Sequence, residues 1–64
     1  MQELKKGDTI QEYHYGVVIT SVITSDVLVK ENGQREFISV TEEGQEIGYL
    51  IGGAYGADVW KVEV

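Results

Sequence analysis

A chain of 64 residues with no cysteine has room for one domain with a small core, and no disulfide or thiolate metal site reinforces that core. Its formal net charge of -6, from 11 acidic and 5 basic side chains, repels a phosphate backbone, so we expect no direct binding to DNA or RNA. A charge of this size also simply keeps a small domain soluble. From the length of the chain we predict a single domain, residues 1–64.

The composition and the N-terminal residues favour a cytoplasmic protein. A chain without cysteine suits a reducing, intracellular compartment. Residues 1–6 contain two lysines with no apolar run behind them, so we expect neither a secretory signal nor a membrane-spanning segment.

The first half of the chain predicts strands. Residues 17–32 contain no glycine and are dense in valine, isoleucine and threonine, whose branched side chains pack well on a sheet and lose rotamer freedom in a helix. The polar pair Ser25-Asp26 divides this stretch in two. The strands predicted in this half are 8–13, 16–24 and 27–31.

The dipeptide Asn32-Gly33 lies between two apolar runs and predicts a β-hairpin. Both residues accept positive φ, which a two-residue type I′ turn requires. A loop of this length determines which residues lie opposite one another. The expected cross-strand pairs are Leu28 with Phe37, Val27 with Ile38, and Lys30 with Arg35.

Two further patterns mark the last third of the chain. Residues 39–42 match a capping box, so we expect a single helical or 3₁₀ turn there, limited in length by Gly44 and Gly48. In residues 58–64, tryptophan and valine alternate with other side chains, which is typical of a half-buried closing strand. We expect Trp60 to lie in the core.

Short strands and tight turns favour an all-β fold, either a small barrel of five or six mostly antiparallel strands or a small meander, because closure removes exposed strand edges. Four motifs follow one another along the chain: Gly7-Asp8-Thr9-Ile10, Tyr15-Gly16-Val17-Val18, Asn32-Gly33 and Asp58-Val59-Trp60-Lys61-Val62. Their order resembles the SH3-like barrels of bacterial and phage proteins, the broad group that includes KOW and Tudor-type modules. The basic loops of the nucleic-acid-binding members are missing, so the resemblance implies a fold and leaves the ligand open.

No group of residues indicates catalysis. His14 is the only histidine, and no spacing of acidic residues around it matches a metal-ligand motif. No serine lies in a glycine-flanked nucleophile elbow, and the glycine-rich residues 51–56 lack the lysine and hydroxyl residue of a phosphate-binding loop. We predict a protein that is not an enzyme and that holds no metal or cofactor.

Residues 48–57 allow two interpretations. The segment is rich in glycine and carries no charge. Either Leu50 and Ile51 form a further strand and the glycines turn corners, or the segment is an exposed loop for binding or self-association.

Aromatic and acidic side chains supply a candidate site for a protein partner. Tyrosine hydroxyls favour half-exposed positions, and tyrosine rings beside carboxylates suit a cationic or extended peptide. The candidate partner-binding residues are Tyr13, Tyr15, Glu42, Glu43, Tyr49 and Tyr55.

Three functional hypotheses follow from these patterns. The first is a non-enzymatic protein-binding module, an accessory protein of phage or mobile-element origin that uses these tyrosines and acids. The second is a homo-oligomeric structural protein that assembles through residues 48–57. The third is an acidic protein that imitates nucleic acid and blocks a DNA-binding protein.

Overall fold

The computed structural model describes residues 4–52 and 59–62, and these residues form one six-stranded sheet without a helix. Every strand pairing in it is antiparallel, so the all-β prediction is confirmed. The strands are β1 (Thr9–His14), β2 (Val17–Ile23), β3 (Leu28–Val29), β4 (Arg35–Thr41), β5 (Glu46–Ile51) and β6 (Val59–Lys61).

The strand order places β2 and β4 at the centre of the sheet. The order is β3-β4-β2-β1-β6, and β5 pairs with β4. β2 pairs with β1 from Val17 to Val22, but with β4 only from Ser21 to Ile23. The sheet curls into a half-barrel, a shape compatible with an SH3-like fold.

The concave face of the sheet carries a small hydrophobic core. Alternate residues of each strand point to this face, as the two-residue period of a strand dictates. Three partly buried side chains, Val27, Ile47 and Val59, pack against the core. The buried hydrophobic residues are Leu4, Ile10, Ile23, Phe37, Tyr49 and Ile51.

The turn between β1 and β2 is formed by Tyr15 and Gly16. Their φ angles are 48° and 81°, and His14 pairs directly with Val17. Positive φ at both residues of a two-residue loop defines a type I′ turn, whose twist matches that of the flanking strands. The type I′ turn therefore lies here and not at Asn32-Gly33.

The hairpin at Asn32-Gly33 exists, but its predicted loop length and register are wrong. The Lys30 N–H donates to the Gln34 carbonyl at 2.7 Å and the Gly33 N–H donates to the Lys30 carbonyl at 2.9 Å, so the loop has three residues. Only Gly33 has positive φ, 85°, as in a type I turn followed by a bulge. The extra loop residue shifts the pairing by one position. The observed pairs are Leu28 with Glu36 and Val29 with Arg35, and Lys30 forms an exposed ion pair with Glu36 at 3.4 Å.

The helical turn expected at residues 39–42 is absent, because a second three-residue hairpin loop joins β4 to β5. The Thr41 N–H donates to the Gln45 carbonyl at 3.0 Å, and the Gly44 N–H donates to the Thr41 carbonyl at 2.9 Å. Gly44 has a φ of 86°, which a glycine adopts without steric cost. The threonine hydroxyl accepts the Gln45 N–H at 3.2 Å, a turn-forming bond of the kind that hydroxyl side chains make.

Trp60 does not lie in the core, contrary to expectation. It is 37% exposed, and its indole N–H donates to the Gln11 side-chain oxygen at 3.1 Å. Gln11 is its neighbour across the β1–β6 pairing. Because faces alternate along a strand, this register turns Val59 toward the core instead.

A buried polar cluster lies beside the hydrophobic core. The Ser21 hydroxyl donates to the Ser39 hydroxyl at 2.9 Å, and both serines are almost fully buried. The Tyr49 hydroxyl donates to the Glu12 carboxylate at 3.1 Å. Burial raises the pKa of Tyr49 above its ordinary 10.0, and the negative charge and hydrogen bond of Glu12 raise it further.

Replacing Tyr49 by phenylalanine tests this cluster. We expect Tyr49→Phe to lower the free energy of unfolding by about 1.5 kcal/mol, because a hydrogen bond to a carboxylate is lost while the ring stays. The raised pKa means that the folded state keeps the phenolic proton longer than the unfolded state does. The contribution of the protonated Tyr49 hydroxyl to the free energy of unfolding is therefore complete below pH 10.0. It is lost as the pH rises through the folded-state pKa of Tyr49.

Urea unfolding at neutral and alkaline pH measures both effects. The difference in free energy of unfolding between wild type and Tyr49→Phe should become smaller as the pH rises above the ordinary tyrosine pKa. A gap that widens there would contradict the assignment of Tyr49 as a buried donor.

Candidate partner-binding site

The tip of the β1–β2 hairpin exposes two of the predicted tyrosines. Tyr15 is 92% exposed and Tyr13 is 52% exposed. The only ring that lies against Tyr15 among the described residues is that of its neighbour His14, at a centroid distance of 4.5 Å. The Tyr15 side chain therefore contributes almost nothing to packing within the domain.

Tyr15 also occupies a backbone conformation that tyrosine disfavours. It is the only described residue other than glycine with positive φ. For an L-residue with a bulky side chain this region costs about 1–2 kcal/mol, and asparagine or glycine adopts it more readily. The structure thus holds a strained residue with an exposed ring at the tip of the β1–β2 hairpin.

A groove separates this hairpin from the β4–β5 loop, and we call it the hairpin groove. One wall is formed by residues 17–20 of β2. The other wall is formed by the loop and its flanks, namely Thr41, Glu42, Glu43, Gln45 and Ile47.

Exposed apolar side chains continue from the groove to the tyrosines. Val17 is 59% exposed and Val18 is 49% exposed. Val18 lies directly opposite Tyr13 in the β1–β2 pairing, so the two side chains are on the same face of the hairpin. Sequence reasoning assigned both valines to a strand but not to a site. The signal available was the Tyr15-Gly16 dipeptide, which marks a turn and so places the residues on either side at its exposed end.

The groove is electronegative. Glu42 and Glu43 are exposed in the β4–β5 loop, and neither forms an ion pair with any residue in the described part of the chain. None of the chain's five lysines and arginines lines the groove. Among the described residues that line it, a ligand meets two carboxylates and no cation.

Of the remaining two predicted site residues, the structure describes only Tyr49, and Tyr49 does not join this surface. Tyr49 is only 6% exposed and stacks on Phe37 at a centroid distance of 5.2 Å, so we leave it out of the site. Tyr55 lies outside the described residues. Of the two interpretations of residues 48–57, the strand is confirmed for Leu50 and Ile51, which belong to β5.

The described residues hold no group of three or more histidine or acidic side chains arranged around a metal site. Within the same ranges, no helix is long and apolar enough to span a membrane.

Comparison of the chain with protein-family models, curated proteins and solved structures finds no match.

Proposed function

We propose that this protein is a non-enzymatic protein-binding module of the SH3-like type. Its binding surface consists of Tyr13 and Tyr15 at the hairpin tip together with Glu42 and Glu43 across the hairpin groove. The partner is a protein segment that offers basic side chains to the carboxylates and apolar or cationic groups to the rings.

The conformation and exposure of Tyr15 carry this proposal. A tyrosine with φ of 48° and 92% exposure is strained and unpacked, so folding does not account for it. Strained residues cluster at functional sites, where the surrounding structure maintains them. Exposed tyrosines are also among the side chains that contribute most to binding a partner. Because the Tyr15 ring adds backbone strain to the turn and packs against almost nothing in the domain, a contact with another molecule best explains it.

Tyr15→Asn separates binding from folding. Asparagine tolerates positive φ, and Asn-Gly is the preferred type I′ dipeptide, so we expect the variant to be more stable than wild type by about 1 kcal/mol. We expect the same variant to bind its partner about tenfold more weakly or worse, because the ring is gone. Stability is measured by urea unfolding. Binding is measured by affinity capture from a lysate of the source cells, with mass spectrometry and then titration of the captured partner.

Leu28→Gln is the matched control. Leu28 is 59% exposed but lies in β3, beside the end of β4 that is remote from the hairpin groove. The control should capture the partner as wild type does. Equal capture by wild type and Tyr15→Asn would rule out the proposed surface.

A stable dimer of the free protein in light scattering would instead support assembly through residues 48–57, where Leu50 is half exposed.

A further inference from the structure

β2 has a strand edge that its neighbours use only in part. On one side it pairs with β1 from Val17 to Val22. On the other side β4 pairs only with residues 21–23, because the chain turns into the β4–β5 loop after Thr41. Among the described residues, no strand therefore covers the second edge of residues 17–20, and this edge forms a wall of the hairpin groove.

The hydrogen bonds at the end of β2 reveal which backbone groups face that edge. Ile23 bonds toward the β1 side, since its N–H donates to the Asp8 carbonyl and its carbonyl accepts the Gly7 N–H. Successive residues of a strand point these groups to opposite sides. The N–H and C=O groups of Val22, Val18 and Thr20 therefore face away from β1. Val22 meets Val40 of β4, whereas Val18 and Thr20 face the groove.

This edge lacks the usual protections against strand addition. Exposed edges are commonly blunted by proline, lysine or a bulge. Residues 17–20 are Val-Val-Ile-Thr, a sequence of high β-propensity, and their pairing with β1 is continuous and free of a bulge. The edge is therefore competent to accept another strand.

Charge selects the kind of strand that can enter. Glu42 and Glu43 stand on the opposite wall of the groove, and the chain as a whole carries a net charge of -6. A second copy of this protein would bring the same negative charge, which disfavours self-pairing. An extended segment with lysine or arginine at alternate positions would place its cations beside the carboxylates.

We propose that the hairpin groove binds an extended, basic segment of a partner protein by β-strand addition along residues 17–20. Backbone hydrogen bonds to Val18 and Thr20 provide the affinity, and Glu42 and Glu43 provide the preference for basic side chains. The bound segment continues the row of β4 and lies beside Val18, whose side chain is on the same face of the hairpin as the Tyr13 ring. This inference rests on the proposed function and specifies the chemistry of its partner.

Amide exchange measured by NMR tests the strand addition directly. The probe is a capped peptide of alternating valine and lysine, about seven residues long, which spans the open edge at a rise of about 3.3 Å per residue. We expect saturable binding and a slowing of amide exchange by about tenfold or more at Val18 and Thr20, because their N–H groups gain acceptors. The amides of Val17 and Ile19 already face β1 and should change little.

Charge and backbone variants supply the controls. A peptide with glutamate in place of lysine, and the Glu42→Gln/Glu43→Gln double variant with the lysine peptide, should each show binding weaker by about tenfold. Failure of the lysine peptide to bind, equal binding of both peptides, or binding that leaves the Val18 and Thr20 amides unprotected would each overturn the proposal.

Thr20→Pro separates this inference from the proposed function. Proline removes an N–H that faces the groove, together with the hydroxyl that accepts the Gln11 side-chain N–H at 3.2 Å. It spares the backbone hydrogen bonds to β1, which the shifts of the β1 amides verify. Loss of partner capture by both Thr20→Pro and Tyr15→Asn supports strand addition. Loss by Tyr15→Asn alone overturns strand addition but leaves the proposed function in place, and retention by both overturns the two together.

Discussion

Replacing Phe37 by alanine is expected to unfold a large fraction of the molecules at room temperature. Phe37 is 2% exposed and stacks on Tyr49 with an interplanar angle of 23°. Truncating a buried phenylalanine costs about 3–5 kcal/mol, through lost burial and the cavity that remains. A domain of 64 residues has a total stability of only about 3–10 kcal/mol. The free energy lost in Phe37→Ala is therefore comparable to the total free energy of unfolding of the domain.

Urea or thermal unfolding followed by circular dichroism measures this loss, with Phe37→Leu as the control. Leucine keeps most of the buried volume, so its cost should be about 1–2 kcal/mol. The alanine variant should lie well below the leucine variant in midpoint. Equal midpoints for the two variants would contradict the position of Phe37 at the centre of the core.

Gly52→Ala is expected to lower stability by about 2 kcal/mol or more. Gly52 follows β5 and has a φ of 126°, a conformation that L-residues rarely adopt. A Cβ added there would also lie 3.2 Å from both the Gln34 Cα and the Gly33 carbonyl oxygen. Both neighbours are backbone atoms of the β3–β4 hairpin, so relieving the contact requires the loop itself to move.

Gly48→Ala is the matched control in the same region of the chain. Gly48 lies in β5 without positive φ, and a Cβ added there would meet nothing within 4 Å. Since glycine inside a strand is less favourable than alanine, we expect Gly48→Ala to raise stability by about 0.5–1 kcal/mol. The comparison is made by urea unfolding of both variants. Similar midpoints would show that neither the backbone angle nor the close contact at Gly52 matters.

Strand positions could be predicted because they depend on local composition. The turn at residues 6–8 predicted a strand at 8–13 and the β-branched residues after it predicted a strand at 16–24, and the structure has β1 at Thr9–His14 and β2 at Val17–Ile23. Side-chain stiffness and the fit of branched residues to a pleated surface act on each segment separately. Tyr13, Tyr15, Glu42 and Glu43 were chosen on a different basis, as aromatic and acidic side chains near loops, and the structure places all four at exposed positions.

Loop length and register could not be predicted in this way. Asn32-Gly33 suits both a two-residue loop and a three-residue loop that ends in glycine. The choice between the two depends on which face of β4 the core requires, because a shift of one residue moves every side chain of a strand to the other face. In the structure Phe37 and Ser39 are buried and Ile38 is exposed. Contacts with β2 and β5 determine this arrangement.

The sequence alone predicted an acidic, all-β chain of five or six strands, with candidate tyrosines and carboxylates near its turns. The burial of Tyr49 and the exposure of Trp60 are properties of the tertiary structure, because the Tyr49 hydroxyl bonds to Glu12 of β1 and Trp60 pairs with Gln11 of the same distant strand. The tertiary structure also decided where the candidate site lies. The hairpin groove exists because β4 stops pairing with β2 after Thr41. Where this pairing stops depends on how the two strands are aligned, which neither segment determines alone.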